Sequence, residues 1–469
     1  RAKTGKYEVT YSVVDNKTGV KFSKSAEITV RSPYLVGWLI LSEKDGKSAL
    51  SFIKMRTVKR DDIDAEGNPV ERDSIIFYDV EKYFRPDLGT EPKGLMEHIG
   101  VEYDFGFSDA VYDEIVVMQG KDNWVELNGN TMEHEVYTKE EFGNDLPENF
   151  EPVEAAMTFS SKLIRDKNGF IYLHRKVLAN DYHAGSYISV PLANSTKFKG
   201  LYQAHKLYNR NYYVIPACTE DNSLVGIWDA GRYNEYSLDG TPSAITENSS
   251  RNDGNIVELT ENTDEKHFKQ MSKNVIAMIP ATCGRDNRFD VTDSYIVPKW
   301  LALMEEKGTY SMRYFGLEGD TSGGIVTVTD FKEVPVDARV FAAGYVDMAV
   351  FQHKKYVVFA SGKEIWYYPY GGSTSNAVLL KKFDQNIVSI SSHDVEEYTR
   401  DGDIYHNGHL GVALENGDFF IYEVVEEDKV LDNITVNQLY PSPETEDKDN
   451  NNFGKIVDTL YKFGNASGV

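Results

Sequence analysis

One stretch of the sequence combines aromatic planes with charged side chains, as ligand-binding loops do. Trp228 is followed by Arg232, Tyr233 and Tyr236 in a glycine-containing segment. Flat aromatic rings stack on sugar rings and peptide side chains, and an arginine guanidinium selects carboxylates. We therefore interpret these four residues as candidates for binding an oligopeptide or a glycan. The alternative is that their rings fill contacts between β-sheets.

Two further segments have a similar composition. Tyr368 and Tyr370 flank a proline ahead of two glycines, and Tyr182 and His183 follow an aspartate shortly before another glycine. Tyrosine packs a ring and keeps a hydroxyl for a partner, so it suits recognition surfaces as well as half-buried strands. These four residues complete the set of ligand-binding candidates.

The nearest approach to a metal site is an incomplete calcium pattern. Asp62, Asp64 and Glu66 precede a glycine, and Asp73 stands at the twelfth position of the stretch. Calcium loops place oxygen ligands at positions 1, 3, 5 and 12 and a glycine at position 6. Glutamate at position 5 and proline at position 8 depart from that pattern and favour a solvated connection between strands. We predict no cofactor, with calcium at these four residues as the weaker alternative.

The sequence lacks the motifs of common hydrolases and nucleotide-dependent enzymes. It contains no Gly-x-Ser-x-Gly elbow, no Walker loop and no Gly-x-Gly-x-x-Gly fingerprint. The string that starts at Ser237 lacks the spacer and the tryptophan of a sialidase-type box. We therefore predict that the protein is not an enzyme. A propeller-type hydrolase is the alternative, because 74 acidic residues leave many carboxylate pairs that linear spacing does not reveal.

The elements that carry these segments follow a repeated phrase: a β-type run, a polar turn and a second run rich in aromatics. Its clearest copy joins Gly411–Leu414 to Phe419–Tyr422 through Asn416 and Gly417. A tight hairpin that recurs at a regular spacing is typical of a β-propeller. Seven turns fit the phrase and lie near residues 46, 120, 169, 222, 284, 362 and 417. We predict an all-β fold with a propeller of about seven blades over residues 34–469. Six or eight blades fit if the longest steps contain an extra hairpin or an insertion.

Composition narrows the classes of partner. The net charge is −24, and a surface of that sign repels nucleic-acid backbones and anionic lipids. No run of 18 apolar residues predicts a membrane-spanning helix. Two cysteines, Cys218 and Cys283, are too few for a disulfide framework, and we place both inside blades.

The N-terminal residues are predicted to form a unit of their own. Apolar and polar residues alternate from Tyr7 to Val13, a turn follows at Asp15–Gly19, and a second alternating run ends at Val30. This pattern predicts one hairpin, which is marginal in water and should pack on something else. We interpret residues 1–32 as the C-terminal part of a β-sandwich domain, with Arg31–Pro33 as a linker.

Three local predictions complete the chain. Gly454–Lys462 is predicted to be a last strand that pairs with the hairpin near Tyr34–Ile53, because closing the ring removes free sheet edges. Pro298–Glu306 is the best candidate for a short helix, with proline at its first position. The segment His406–His409 is predicted to be a turn that lacks the further ligands a zinc site needs.

Taken together, these features resemble the PKD-like lipoproteins of Bacteroidetes. The resemblance rests on Tyr7–Asp15, Ala26–Val30, Gly37–Leu41, Leu410–Tyr422 and Gly454–Asn465. It implies an immunoglobulin-like PKD segment in residues 1–32 and a propeller-like region over 34–469. It also implies a surface-exposed outer-membrane protein, held by a lipid anchor that lies upstream of this sequence.

The resemblance further implies partners. Proteins of this kind are expected beside a transporter and lid-lipoprotein pair of the SusC/SusD type. Our leading hypothesis is a non-catalytic accessory lipoprotein that binds an oligopeptide or a glycan, or that supports assembly of the uptake complex. The competing hypothesis is a propeller-type hydrolase that acts on glycans or peptides.

Overall fold

The fold is built almost entirely from antiparallel strands. The structure is a computed structural model that describes residues 5–30, 33–63, 69–103, 109–120, 124–157, 161–175, 183, 186–193, 196–203, 214–228, 255–263, 265–281, 298–319, 325–351, 356–370, 377–398, 404–426, 434–443 and 448–462. In these residues the helical segments are single turns of 3-10 helix at Thr138–Phe142, Ala338–Phe341 and Lys448–Asn451. None of them has the length or the apolar character that a membrane crossing requires.

The N-terminal hairpin is a separate two-stranded sheet of β1 (Gly5–Val14) and β2 (Lys21–Val30). Its register pairs Gly5 with Val30 and Val14 with Lys21. The Asp15 carboxylate accepts hydrogen bonds from the N–H groups of Lys17 and Thr18, which fixes the turn. The hairpin predicted from the alternation is therefore confirmed.

In the described residues the remaining strands form six hydrogen-bonded sheets that contain seven successive meanders, and we call these meanders sheets 1 to 7. Sheet 1 comprises β3 (Gly37–Lys44), β4 (Lys47–Ile63), β5 (Pro69–Arg85) and β29 (Lys455–Lys462). Sheet 2 comprises β6 (Gly94–Tyr103), β7 (Asp109–Met118), β8 (Val125–Asn128) and β9 (His134–Tyr137). Sheet 3 comprises β10 (Pro152–Met157), β11 (Ser161–Asp166) and β12 (Ile171–Arg175).

The second half of the chain repeats the same pattern. Sheet 4 comprises β13 (Phe198–Leu201), β14 (Val214–Thr219), β15 (Leu224–Trp228) and β16 (Ile256–Thr260). Sheet 5 comprises β17 (Asn274–Pro280), β18 (Lys299–Glu306), β19 (Thr309–Gly319) and β20 (Val326–Val336). Sheet 6 comprises β21 (Asp347–Phe351), β22 (Tyr356–Ser361), β23 (Glu364–Pro369) and β24 (Val378–Lys382). Sheet 7 comprises β25 (Ile387–Tyr398), β26 (Ile404–Leu414), β27 (Phe419–Glu426) and β28 (Ile434–Tyr440).

These meanders confirm the all-β class. Sheets 4 and 5 are joined by a short parallel pairing of β16 with β20, so together they form one eight-stranded sheet. Edge strands of four sheets contact one another in succession: β21 contacts β25, β25 contacts β29, and β29 contacts β6. This order supports a ring of sheets, while the number of propeller blades stays a prediction.

The C-terminal strand pairs with the start of sheet 1, as predicted. β29 runs antiparallel to β3, with Leu460 opposite Leu39 and Lys462 opposite Gly37. Gly417 holds a neighbouring turn in the left-handed region at φ 93°, and a Cβ there would collide with the carbonyl group of Gly454. The hairpin of sheet 7 and the segment that leads into β29 therefore pack backbone against backbone.

Carboxylates on the edge strand of one sheet accept hydrogen bonds from the edge strand of the next sheet. Asp458 on β29 accepts a hydrogen bond of 2.7 Å from the N–H of Leu95 on β6. Asp347 on β21 accepts one of 2.8 Å from the N–H of Ile390 on β25. Burial raises the pKa of Asp347 to about 7 and that of Asp458 to about 6. The two carboxylates thus accept hydrogen bonds from backbone N–H groups that have no partner on a neighbouring strand among the described residues.

Two local predictions were wrong. Pro298–Glu306 is not a helix but contains β18, since Trp300, Leu301, Leu303 and their neighbours are buried on both faces of a strand between stacked sheets. The segment from 406 to 409 is not a turn but a continuous part of β26.

The fifth copy of the repeated phrase also lies elsewhere than predicted. The turn assigned near residue 284 falls outside the described residues. The hairpin equivalent to the other copies joins β18 to β19 through Lys307 and Gly308, at φ 51° and 78°. This turn stands between two long apolar runs, so a copy of the phrase was present in the sequence that the seven predicted turns did not include.

Candidate functional site

The most unusual group of side chains is a set of buried charges between sheets 2 and 3, which we call the charged cluster. Its members are His98, Glu114, Glu126, Glu141, Lys162, His174 and His183. All except His183 are at most 5% exposed. Ionisable groups are seldom buried to this extent unless they are paired or bind a metal.

Three adjacent strands of sheet 2 bring part of the cluster together. His98 on β6 stands directly opposite Glu114 on β7, and Glu114 stands opposite Asn128 on β8. Glu126 lies two residues before Asn128, so it occupies the diagonal position on the same face of the sheet. Nε2 of His98 lies 3.0 Å from Oε2 of Glu114.

Sheet 3 contributes the cation of the cluster. The Lys162 ammonium on β11 donates hydrogen bonds to Oε2 of Glu126 at 2.5 Å and to Oε1 of Glu141 at 2.8 Å. Glu141 comes from the 3-10 helix Thr138–Phe142, whose Thr138 hydroxyl donates to Oε1 of Glu126. Burial disfavours the ammonium form, yet the surrounding carboxylates raise the pKa of Lys162 above its usual range.

The three carboxyl groups differ in their affinity for protons. Burial raises the pKa of Glu114 well above its usual range, and the charge of Glu126 adds to this effect. Burial also raises the pKa of Glu141. Burial opposes ionisation of Glu126 as well, but the charge of Lys162 and the hydrogen bonds from Glu114 and Lys162 together outweigh it and hold the pKa of Glu126 well below its usual range. The cluster thus holds one firmly ionised carboxylate beside two carboxyls that retain protons more readily.

His183 connects the cluster to the outside. Its side chain is 17% exposed, with Nδ1 3.3 Å from Oε1 of Glu141 and Nε2 3.5 Å from Oε1 of Glu114. Of the eight residues predicted from the sequence to bind a ligand, this one lies in a group of convergent polar side chains. Its predicted role was ligand binding, and its position is at the margin of the charged cluster.

Sequence reasoning missed the other members of the cluster because they are far apart in the chain. A signal was present: Glu114, Glu126 and Lys162 each interrupt or border an apolar strand of the repeated phrase. A charged residue in a strand that is buried on both faces needs a partner, which marks it as unusual. The spacing of the strands alone does not reveal which partner it meets.

A second candidate site is a cleft of about 450 Å³ beside sheet 4. It lies next to the turn between β14 and β15 and is bordered by β16 and by the segment that follows it. Its walls carry side chains of both charges and apolar side chains, among them Lys197, Glu220, Leu224, Glu258, Lys266 and Lys269. Glu258 and Lys269 form an exposed ion pair of 2.8 Å at its rim.

Three of the predicted ligand-binding aromatics lie in the hydrophobic core. Trp228 is 1% exposed at the end of β15 and packs against Gly319, which leaves no room for a side chain there. Tyr368 and Tyr370 pack with the core residues of sheets 5 and 6, including Phe359. The alternative that such rings fill contacts between sheets therefore describes their position, and their role in binding stays a prediction.

The other predicted positions fall partly outside the described residues. This applies to Arg232, Tyr233, Tyr236 and Tyr182 among the ligand-binding candidates. It also applies to Asp64 and Glu66 of the calcium pattern. Asp62 lies near the end of β4 and Asp73 lies in β5, which pairs with β4. Calcium binding there stays a prediction.

These features define an all-β protein with an N-terminal hairpin, a run of antiparallel meanders and a buried charged cluster. Residues 1–76 match the PKD-like family. The matched segment covers the hairpin and most of the first three strands of sheet 1. It therefore extends beyond the linker predicted at 31–33. Comparison with curated proteins found no match.

Solved structures offer distant similarities. The chain is similar to BBS1N in its complex with ARL6DN, at 13% identity over 70% of this chain and 76% of that one, with a TM-score of 0.36. It is similar to human WBSCR16 at 10% identity over 63% and 68%, with a TM-score of 0.31. It is also similar to KlAtg21 in its complex with the coiled coil of AgAtg16, at 9% identity over 73% and 90%, with a TM-score of 0.33.

Proposed function

We propose that the protein is a non-catalytic binding protein of the cell surface, which captures an oligopeptide as an accessory lipoprotein of a SusC/SusD-like uptake complex. The observation that carries the proposal is the cleft beside sheet 4. The PKD-like match of residues 1–76 supports the class of protein. A lipid anchor upstream of this sequence would hold it at the outer membrane.

The chemistry of the cleft favours an oligopeptide over a glycan. Four carboxylates and three lysines line it beside apolar side chains, so it offers partners for both termini and for apolar residues of a short peptide. Sugar rings are bound by exposed aromatic planes. The aromatic ring among the described lining residues, Phe268, is 2% exposed and offers no such plane.

Binding can be measured directly. Calorimetry with defined tripeptide to hexapeptide mixtures should detect saturable binding, and a panel of oligosaccharides should give none. The double substitution Lys266→Met and Glu220→Gln, which neutralises two exposed charges of the rim, should weaken peptide binding about tenfold, or about 1.4 kcal/mol. Lys307→Met, in the exposed turn of sheet 5, is the matched control and should leave the affinity unchanged.

The outcomes separate the parts of the proposal. Saturable binding of glycans but not peptides would show that the ligand class is wrong. Absence of binding by both classes would overturn the binding function. For the complex, the chain should co-purify with the SusC/SusD-like transporter when both are expressed in one outer membrane, and repeated failure to do so would contradict the accessory role.

A propeller-type hydrolase is the second candidate, and the charged cluster is the observation that favours it. Carboxyl groups whose pKa values are pushed apart are the arrangement that acid and base catalysis uses. The purified chain would then cleave peptides or glycans, and Glu114→Gln would abolish the turnover. If substrate cannot reach the cluster, neither the wild-type chain nor the Glu114→Gln variant would show turnover.

A further inference from the structure

The charged cluster contains a convergent set of donors in sheet 2. One nitrogen of His98 and one oxygen each of Glu114 and Glu126 lie within 4.8 Å of one another. All three side chains are at most 1% exposed. Direct and diagonal pairing across β6, β7 and β8 fixes their positions, so the arrangement rests on the framework of the sheet and not on a loop.

The oxygens of this set are short of hydrogen-bond donors. Within the described part of the chain, no donor meets either carboxylate oxygen of Glu114, or Oε2 of Glu141, in good hydrogen-bond geometry, although these atoms are buried and Nε2 of His98 lies 3.0 Å from Oε2 of Glu114. Two carboxylates that face each other in an apolar interior need a proton or a cation between them. A buried acceptor without a donor costs about 1–3 kcal/mol, so an electrophilic partner in this space would stabilise the fold.

The charge of the cluster points to a divalent ion. A nearby metal ion favours the ionised forms of Glu114 and Glu141, which otherwise retain protons more readily. With these two and Glu126 ionised beside the Lys162 ammonium, two negative charges remain if the histidines are neutral. A cation of charge two compensates them fully. Thr138 and Lys162 already donate to Glu126, and outer donors of this kind orient carboxylates that bind metals.

The donor types select the class of ion. Calcium and magnesium prefer shells made of oxygen alone, whereas an imidazole nitrogen beside carboxylates suits zinc and similar transition metals. We propose that His98, Glu114 and Glu126 bind one divalent transition-metal ion of the zinc class, which links three neighbouring strands of sheet 2. His183, at the exposed margin of the cluster, marks the side from which the ion enters.

Metal binding is tested on the full chain after dialysis against a chelator. Addition of Zn²⁺ in calorimetry should show one bound ion per chain, and Co²⁺ should give the visible absorption bands of a low-symmetry nitrogen and oxygen site. Glu114→Gln removes a charged ligand at nearly constant volume and should weaken binding at least about a hundredfold, since even an outer-shell loss costs ten- to a hundredfold.

The matched control is His267→Gln. His267 also contacts two glutamates, Glu261 at 2.7 Å and Glu265 at 3.0 Å, but it lies near the surface beside sheet 4. Binding should survive this substitution. The proposal is overturned if the wild-type chain binds no stoichiometric metal, if Glu114→Gln binds as the wild type does, or if His267→Gln abolishes binding.

The proposal remains testable even if Glu114→Gln fails to fold. Crystals of the wild-type chain grown with Zn²⁺ give an independent measurement at the zinc absorption edge. An anomalous peak between His98, Glu114 and Glu126 supports the site. A peak elsewhere, or none, rejects it.

Discussion

The N-terminal hairpin exposes apolar side chains, whereas the charged cluster buries charged ones. Both regions depart from the usual distribution of side chains, in opposite directions. On β1 and β2, apolar residues alternate regularly, yet Tyr11 is 70% and Phe22 64% exposed. In the cluster, Glu126 and Lys162 are charged and fully buried. The hairpin has the sequence of a sheet face that packs on something, and the cluster has residues that water normally solvates.

The comparison shows that the alternation of apolar and polar residues along a strand determines how the strand pairs. Whether its side chains are buried depends on the stacking of neighbouring sheets. The alternation in β1 and β2 is sufficient for their register, but no other sheet covers their apolar face in the described residues. Sheets 2 and 3 are stacked, so their charged residues lose water and must find partners within the protein. Burial in this chain is therefore a property of neighbouring sheets more than of a strand's own composition.

The largest effect is expected from removing the cation of the cluster. Lys162→Met leaves the carboxylates of Glu126 and Glu141 buried without their ammonium, and should lower the free energy of unfolding by about 3–5 kcal/mol. Urea denaturation followed by tryptophan fluorescence measures it. Lys269→Met, which breaks the exposed pair with Glu258, is the control and should change stability by less than about 1 kcal/mol. Equal losses in the two variants would show that burial does not distinguish them.

An intermediate effect on the free energy of unfolding is expected at Asp347 and Asp458. Their carboxyl groups accept hydrogen bonds from backbone N–H groups and, within the described residues, do not pair with an ammonium. The pKa values of Asp347 and Asp458 are about 7 and 6 in the folded chain, above the ordinary aspartate value of 3.8. The folded state then binds protons more tightly than the unfolded state, so their contribution to stability is present below about pH 4 and is lost as the pH rises to about 7.

The measurement is the urea midpoint of the wild type and of Asp347→Asn at pH 5 and pH 8. The wild type should lose more stability between these two values than the variant, because the variant has one titrating group fewer. The amide also places N–H₂ opposite the N–H of Ile390, so Asp347→Asn should be less stable at pH 5 by about 1–3 kcal/mol. A pH dependence that is the same in both proteins would contradict the assigned role of Asp347.

The smallest effect is expected on the hairpin. Phe22→Thr exchanges an exposed ring for a residue that also favours strands, and should change the free energy of unfolding by no more than about 0.5 kcal/mol. Phe52→Ala, at 2% exposure in sheet 1, is the buried counterpart and should cost about 3–5 kcal/mol. A large loss from Phe22→Thr would show that the face of the hairpin is covered in solution.

Much of the framework could be predicted from the sequence because tight turns leave local signals. Asn416 and Gly417 mark a hairpin, and Gly308 would have marked the fifth one had the run after it been compared with the other copies. Six of the seven turns fall between strands as expected. The alternation of the first hairpin and the pairing of β29 with β3 were also predicted, since both follow from short-range pattern and from the need to close a sheet edge.

The charged cluster could not be predicted because it depends on contacts between sheets. Lys162 meets Glu126 across 36 positions of the chain, and nothing local to either residue identifies the other. The aromatic candidates for ligand binding were chosen from residue type alone. For Trp228 and Tyr368, residue type indicated a possible ligand, whereas strand position placed the ring in the core.

The pairing of β29 with β3 sets an order of events during synthesis. The edge of β3 emerges from the ribosome well before β29, because the strand that covers it lies more than 400 residues later. At about 5–20 residues per second, the edge stays open for at least roughly 20–80 s. A nascent chain thus carries an unpaired template for intermolecular β-pairing until Lys455–Lys462 has been synthesised, and a ribosome that stalls before Lys455 releases a product that keeps it.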